Sequence, residues 1–172
     1  MIFNTDDRID GVVNISLENT LENCWEKKKM PVNEKQTSGE VLYQRQIYER
    51  RGLSRLYWDY KDKIILNNLC ESDNRIVDIG CGEGILLQKI CGLAPQGNVT
   101  GIDCMSENIS ICRQHNLPAE LGDIYDLAIQ SESVDIVFLI EVIEHLVDYE
   151  KALVEVVRIL KPGGKLVILF PH

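Results

Sequence analysis

The chain has 172 residues, 45% hydrophobic and 26% charged, with a net charge of −9. That is the profile of one folded domain, and it excludes a disordered, collagenous or fibrous chain. The longest apolar runs, such as Ile136–Ile140 and Leu166–Phe170, fall far short of the roughly 18 residues that cross a bilayer. Met1–Asp7 lacks the basic start and apolar run of a secretion signal.

The charge is unevenly spread. Residues 75–172 hold seven Lys/Arg against fourteen Asp/Glu, whereas residues 27–63 hold ten against five. The acidic body argues against nucleic acid, whose phosphates it would repel. The basic segment reads first as a solvated helical face, with room for one anionic substrate group. Six cysteines, at 24, 70, 81, 91, 104 and 112, form no C-x-x-C pair. They predict reduced thiols in a cytoplasmic protein and no zinc site.

In chain order, residues 1–38 read as loosely structured, with one short helix around Thr20–Lys29. Residues 39–72 read as a helical cap, because Val41, Leu42, Ile47 and Tyr48, then Leu53, Leu56, Tyr57, Tyr60, Ile64 and Ile65, recur every three or four positions. Gly52 separates the two helices. The cap carries Tyr43, Tyr48, Tyr57, Trp58 and Tyr60, aromatics that core packing largely accounts for.

Residues 73–172 alternate strands and helices. Strands are expected at Arg75–Ile79, Asn98–Asp103, Ala119–Leu121, Val134–Ile140 and Lys165–Phe170, with helices at about 84–92, 106–116 and 148–160. In the last helix Tyr149, Ala152, Leu153, Val156, Val157 and Leu160 form one apolar stripe. Asp148 is its expected N-cap and Gly163-Gly164 its expected stop. This grammar predicts an α/β fold: a Rossmann-like, mostly parallel sheet of five strands with helices on both faces. In such sheets ligands bind at the carboxyl ends of the strands, so the chemistry is sought just after each one.

After the first strand stands Val77-Asp78-Ile79-Gly80-Cys81-Gly82-Glu83-Gly84. Its glycines permit a tight turn and close backbone approach to a ligand. The spacing G-x-G-x-G differs from the G-x-G-x-x-G of dinucleotide binders. Asp78 and Glu83 would repel a pyrophosphate by about 1–4 kcal/mol per close pair. They suit a ligand with a positive end. Asp103, about 20 residues after the turn, can accept both hydroxyls of a ribose. Asp123, in Gly122-Asp123-Ile124, stands where a purine amino group would lie. Cationic head, ribose and adenine together describe S-adenosylmethionine.

These motifs, with Ser133–Val137, Glu141-Val142-Ile143-Glu144-His145-Leu146 and Leu160-Lys161-Pro162-Gly163-Gly164, resemble the class I S-adenosylmethionine-dependent methyltransferases, especially the quinone-pathway small-molecule enzymes. The resemblance covers about residues 54–172. It implies that Asp78, Gly80, Cys81, Gly82 and Gly84 hold the methionine part and that Asp103 and the adjoining Cys104 serve the ribose. Asp123 and Ile124 would meet the adenine, and Glu141 would lie near the methyl group. Glu144 and His145 are the candidate bases if one is required. Were Glu141–His145 helical, Glu141, Glu144 and His145 would share a face and could converge on a divalent metal. The favoured reading is cleft structure without a metal.

The resemblance implies methyl transfer to a small-molecule or lipid-like acceptor by in-line displacement. The competing expectation is a cofactor-binding module without turnover, acting as a partner or regulatory subunit. Seven strands are the family norm and five are found here, so the domain reads as truncated. The fifth strand then reads as an exposed apolar edge. Pairing of that edge in a homodimer is favoured over covering by residues 1–38 or a fragmentary chain.

Overall fold

The computed structural model describes residues 12–16, 45, 53–94 and 98–170. The expected helix at Thr20–Lys29, and the cap helix before Gly52 apart from Arg45, lie outside the described residues. A six-stranded sheet runs through the middle, in the order β1-β6-β5-β2-β3-β4. Its strands are β1 (Val12–Ser16), β2 (Arg75–Ile79), β3 (Asn98–Asp103), β4 (Ala119–Leu121), β5 (Val134–Ile140) and β6 (Leu160–Leu169). The helices are α1 (Leu53–Leu66), α2 (Ile85–Leu93), α3 (Ser106–Gln114) and α4 (Tyr149–Ile159), with a 3-10 turn at Ile143–His145.

Strands β2 to β6 pair in parallel. Alternation along them sends side chains to two cores. On one face Ile76, Ile136, Phe138 and Val167 pack with Ile65 of α1, Leu87 and Ile90 of α2, and Ile109 and Cys112 of α3. On the other, Val77, Val137, Leu139 and Ile168 pack with Ala152, Val156 and Ile159 of α4. Phe138 is wholly buried, an apolar burial of about 2–3 kcal/mol.

Helix α4 starts where its sequence predicts: Asp148 Oδ1 accepts from the Lys151 amide at 3.0 Å. It ends earlier than expected. Leu160 is already extended, at φ −70° and ψ 137°, and pairs with Val134. Pro162 also disfavours a helical Lys161. Gly163-Gly164 therefore lies inside β6, where the register slips between Val134 and Ile136, and does not act as the helix stop.

The edge of β6 is occupied. β1 lies antiparallel to it, from Val12 opposite Leu169 to Ser16 opposite Lys165. This corrects two expectations. Residues 1–38 are not uniformly loose, because Val12-Val13-Asn14-Ile15 holds a short β-forming run. The β6 edge proposed for a homodimer is filled by the chain itself.

Chain order reverses at β2, which has β3 on one side and β5 on the other. The crevice above the carboxyl ends of β2 and β5 is the position where such sheets bind ligands.

Candidate functional site

Two loops border that crevice: the glycine-rich turn after β2 and Glu141–Leu146 after β5. Gly80 and Gly84 have φ of 73° and 75°, a region costly for any residue with a Cβ. Space excludes a side chain as well. A Cβ on Gly80 would lie 2.2 Å from Val142 Cγ2, and one on Gly84 would lie 2.5 Å from Leu117 Cδ1. The first contact also shows that the two loops press directly on one another.

The turn is held from below. The Gly80 and Cys81 amides donate to the Ile102 carbonyl at 2.7 and 3.1 Å, and the Gly82 amide donates to Asp103 Oδ2 at 2.8 Å. Asp103 Oδ1 accepts from the Met105 amide at 2.9 Å and Asn108 Nδ2 at 3.1 Å. This buried carboxylate is thus fixed against the glycine turn, where a diol could compete for its oxygens.

Asp78 is the anomalous group. It is 2% exposed, and its Oδ2 has no hydrogen-bond partner. Burial first, and then the negative charge of Asp103, push its carboxyl up to about 7. A buried, unpartnered carboxylate oxygen is costly by itself. A cationic donor would relieve it. With the glycine cradle beside it, the group fits a ligand carrying an ammonium.

Other predicted residues fall around this centre in different ways. The Cys81 thiol is buried among core side chains, and burial, ahead of Asp78 and Cys112, pushes it far above the ordinary thiol range. Cys104 is an exposed free thiol next to Asp103. Asp123 is exposed, its Oδ1 accepting from the Tyr125 amide at 3.0 Å. Ile124 is 8% exposed and packs into the α4-side core, so Asp123 is the more open of the two.

Past β5, Glu141 has φ 56° and its Oε1 lies 2.5 Å from Lys61 Nζ of α1. Glu144 has a buried Oε2 with no hydrogen-bond partner, while His145 is exposed. The segment is a 3-10 turn preceded by a left-handed residue, so Glu141, Glu144 and His145 do not line one face of an α-helix. Among the described residues no group of three His, Cys, Asp or Glu side chains could hold a metal ion.

Two residues of the site escape the sequence reading. Arg45 reaches over the glycine turn, donating from Nε to the Glu83 carbonyl at 2.9 Å and from Nη2 to the Gly84 carbonyl at 3.3 Å. The Arg45 amide donates to Glu83 Oε2 at 2.9 Å, so Glu83 is engaged by Arg45 instead of awaiting a cationic ligand. Lys61 is the other. Both are 38 or more positions from their partners, and no local spacing announces such pairs. The only trace in the sequence is the basic bias of residues 27–63.

A family model described as a methyltransferase domain matches residues 77–168, more than half of the chain. The ubiquinone biosynthesis O-methyltransferase of Chelativorans sp. is 35% identical over 100 residues, covering 55% of this chain and 39% of that protein. The phthiotriol/phenolphthiotriol dimycocerosates methyltransferase 1 of Mycobacterium ulcerans is 33% identical over 99 residues, covering 55% and 36%. The chain therefore spans well under half the length of these relatives. Among solved structures, the complex between the Haloferax volcanii Trm112 methyltransferase activator and a methyltransferase gives a TM-score of 0.57 at 28% identity, covering 65% of this chain and 56% of the matched one.

Proposed function

Because the chain belongs to the class I S-adenosylmethionine-dependent methyltransferases, we propose that the whole protein transfers a methyl group from S-adenosylmethionine to a small-molecule or lipid-like acceptor. The observation that carries this reading is the unpartnered Asp78 Oδ2 beside the Gly80–Gly84 cradle. It supplies a buried acceptor for an amino group where backbone, not side chain, must surround the ligand. The names of the two curated relatives, one for ubiquinone biosynthesis and one for phthiotriol and phenolphthiotriol dimycocerosates, support the acceptor class.

In this reading Asp78 takes the amino group of the methionine part, and Gly80, Cys81, Gly82 and Gly84 line it. Asp103 trades some of its protein hydrogen bonds for those of the ribose hydroxyls, with Cys104 alongside. Asp123 meets the adenine edge, with Ile124 anchoring it to the core. The bound cofactor supplies an electrophilic methyl group on a sulfonium. The protein contributes position, holding donor and acceptor in line. Glu144 is the favoured base where the acceptor must lose a proton, because its Oε2 has no internal partner. His145, exposed on the same turn, is the second candidate. No described helix is long and apolar enough to cross a membrane. A cytoplasmic setting is supported by the five described cysteines, all free thiols.

The test is calorimetric titration with S-adenosylmethionine and S-adenosylhomocysteine, with NADH as control. We expect micromolar binding of both sulfur ligands, none of NADH, and at least a tenfold loss in Asp103→Ala. A folded protein that binds neither sulfur ligand would sink the reading. The reading of a non-catalytic module that works with a partner has one observation in its favour, the activator complex among similar structures. Binding without turnover on a broad acceptor panel, until a partner protein is added, would favour it.

A further inference from the structure

We propose that Lys61 is a positioning residue whose charge neutralises Glu141 beside the methyl-transfer position, so that the site does not hold the charged cofactor too firmly. The proposal rests on the cofactor reading above. Glu141 directly precedes Val142, whose side chain presses on Gly80, so its backbone borders the loop that packs against the turn assigned to the methionine part. Its left-handed φ of 56° is a conformation that Glu adopts only when its surroundings impose it.

The Glu141 amide donates to the Leu169 carbonyl at 2.7 Å, and Lys61 holds the side chain. Its Nζ lies 2.5 Å from Glu141 Oε1, with the lysine side chain 16% exposed and the glutamate 39%. The ammonium also sits 4.6 Å from the centre of the Trp58 ring. The helix that presents it is itself anchored. One turn on, Ile65 is buried in the core, and the neighbouring Asp62 pairs with Lys89 of α2. Lys61 thus projects from a rigid platform, the condition under which a charge can be placed rather than merely be nearby.

The chemistry gives the pair a purpose. In methyl transfer an acceptor lone pair forms the new bond to carbon. The carbon–sulfur bond breaks with its electrons remaining on sulfur, and any acceptor proton passes to a base. A full positive charge on sulfur is therefore lost along the path. An uncompensated carboxylate beside it would stabilise the reactant more than the transition state, which slows the reaction. Paired with Lys61, Glu141 keeps its shape and hydrogen-bonding capacity while its net field on the sulfonium is small.

The readout is the ratio of affinities for S-adenosylmethionine, which carries the charge, and S-adenosylhomocysteine, which does not. It is measured by calorimetry, and circular dichroism confirms the fold of each variant. Lys61→Met should raise the preference for S-adenosylmethionine about 3–10-fold, as expected for one charge acting across a partly screened site. Glu141→Gln, which leaves the lysine, should lower it by a similar factor. The double variant should return to within about twofold of the parent. A purely structural role would weaken both ligands alike and leave the ratio unmoved. Unmoved ratios, or shifts of the two single variants in the same direction, overturn the proposal while the cofactor site stands. If the parent protein binds neither ligand, the cofactor reading fails and this one fails with it.

Discussion

At the scale of single residues, Asp78 sets the terms. Its carboxyl is raised from 3.8 to about 7 by burial and by Asp103. The unfolded chain therefore gives up this proton near pH 4, while the folded chain keeps it until near neutrality. Over that window the unfolded state binds fewer protons, so stability contributed by this group falls as pH rises. The full penalty, a few kcal/mol in size, is reached above pH 7. Asp78→Asn removes it. We expect the variant to melt above the parent at pH 8, with the difference narrowing as pH falls towards 4, measured by calorimetric scans across pH. Equal melting temperatures at pH 8 would show that Asp78 is not held in a poor environment. The residue was visible in the sequence because a carboxylate at the end of a buried strand has few reasons to be there. Its lack of a partner was not visible, since that depends on what β3 and the glycine turn leave unsupplied.

At the scale of elements, sequence reasoning succeeded where one pattern dominates. The bounds of β2, β3, β4 and β5 agree with the expected ones: β2 and β5 are mainly apolar runs between turn residues, and β3 and β4 are fixed by the Gly-Ile-Asp and Gly-Asp motifs at their ends. It failed at β1, five residues set in a polar stretch, where strand formation depends on an edge more than 140 positions away. It also misplaced the start of β6, where glycines that resemble a helix stop are taken up by a register slip. The β1 finding has a testable consequence. A sheet edge as apolar as β6 invites pairing with other chains, and β1 occupies it. Deleting residues 1–17 should lower the melting temperature by about 3–10 °C, corresponding to roughly 1–3 kcal/mol for a chain of this size. It should also shift the protein to dimers or larger species in gel filtration. A deletion variant that elutes at high concentration in the same oligomeric state as the parent would show that β1 is not what keeps this edge from associating.

At the scale of the whole molecule, the candidate site is assembled across the reversal in strand order. Asp78 and the glycine turn come from β2, Asp103 from β3, and Glu141 and Glu144 from beyond β5. Lys61 and Arg45 come from the segment between β1 and β2. The strand-end motifs were legible because each sits in its own short segment. The contacts of Arg45 and Lys61 were not, since an ion pair between positions 61 and 141 is decided by the way α1 lies on the fold. A ligand that touches β2, β3 and the β5 loop joins parts of the chain that unfold together, so its binding energy becomes folding energy. S-adenosylmethionine at about 100 times its dissociation constant should add about 2.7 kcal/mol, or roughly 5–10 °C in melting temperature. The gain should depend on pH in a set direction. An ammonium favours ionised Asp78, so below about pH 7 binding must expel a proton, and at a fixed ligand concentration the gain shrinks. Calorimetry at pH 6 in two buffers of different ionisation enthalpy should show up to one proton released on binding, and essentially none at pH 8.5. Asp78→Asn should abolish that release. Proton release that survives in the variant would place the titrating group elsewhere and remove Asp78 from the ligand's amino end.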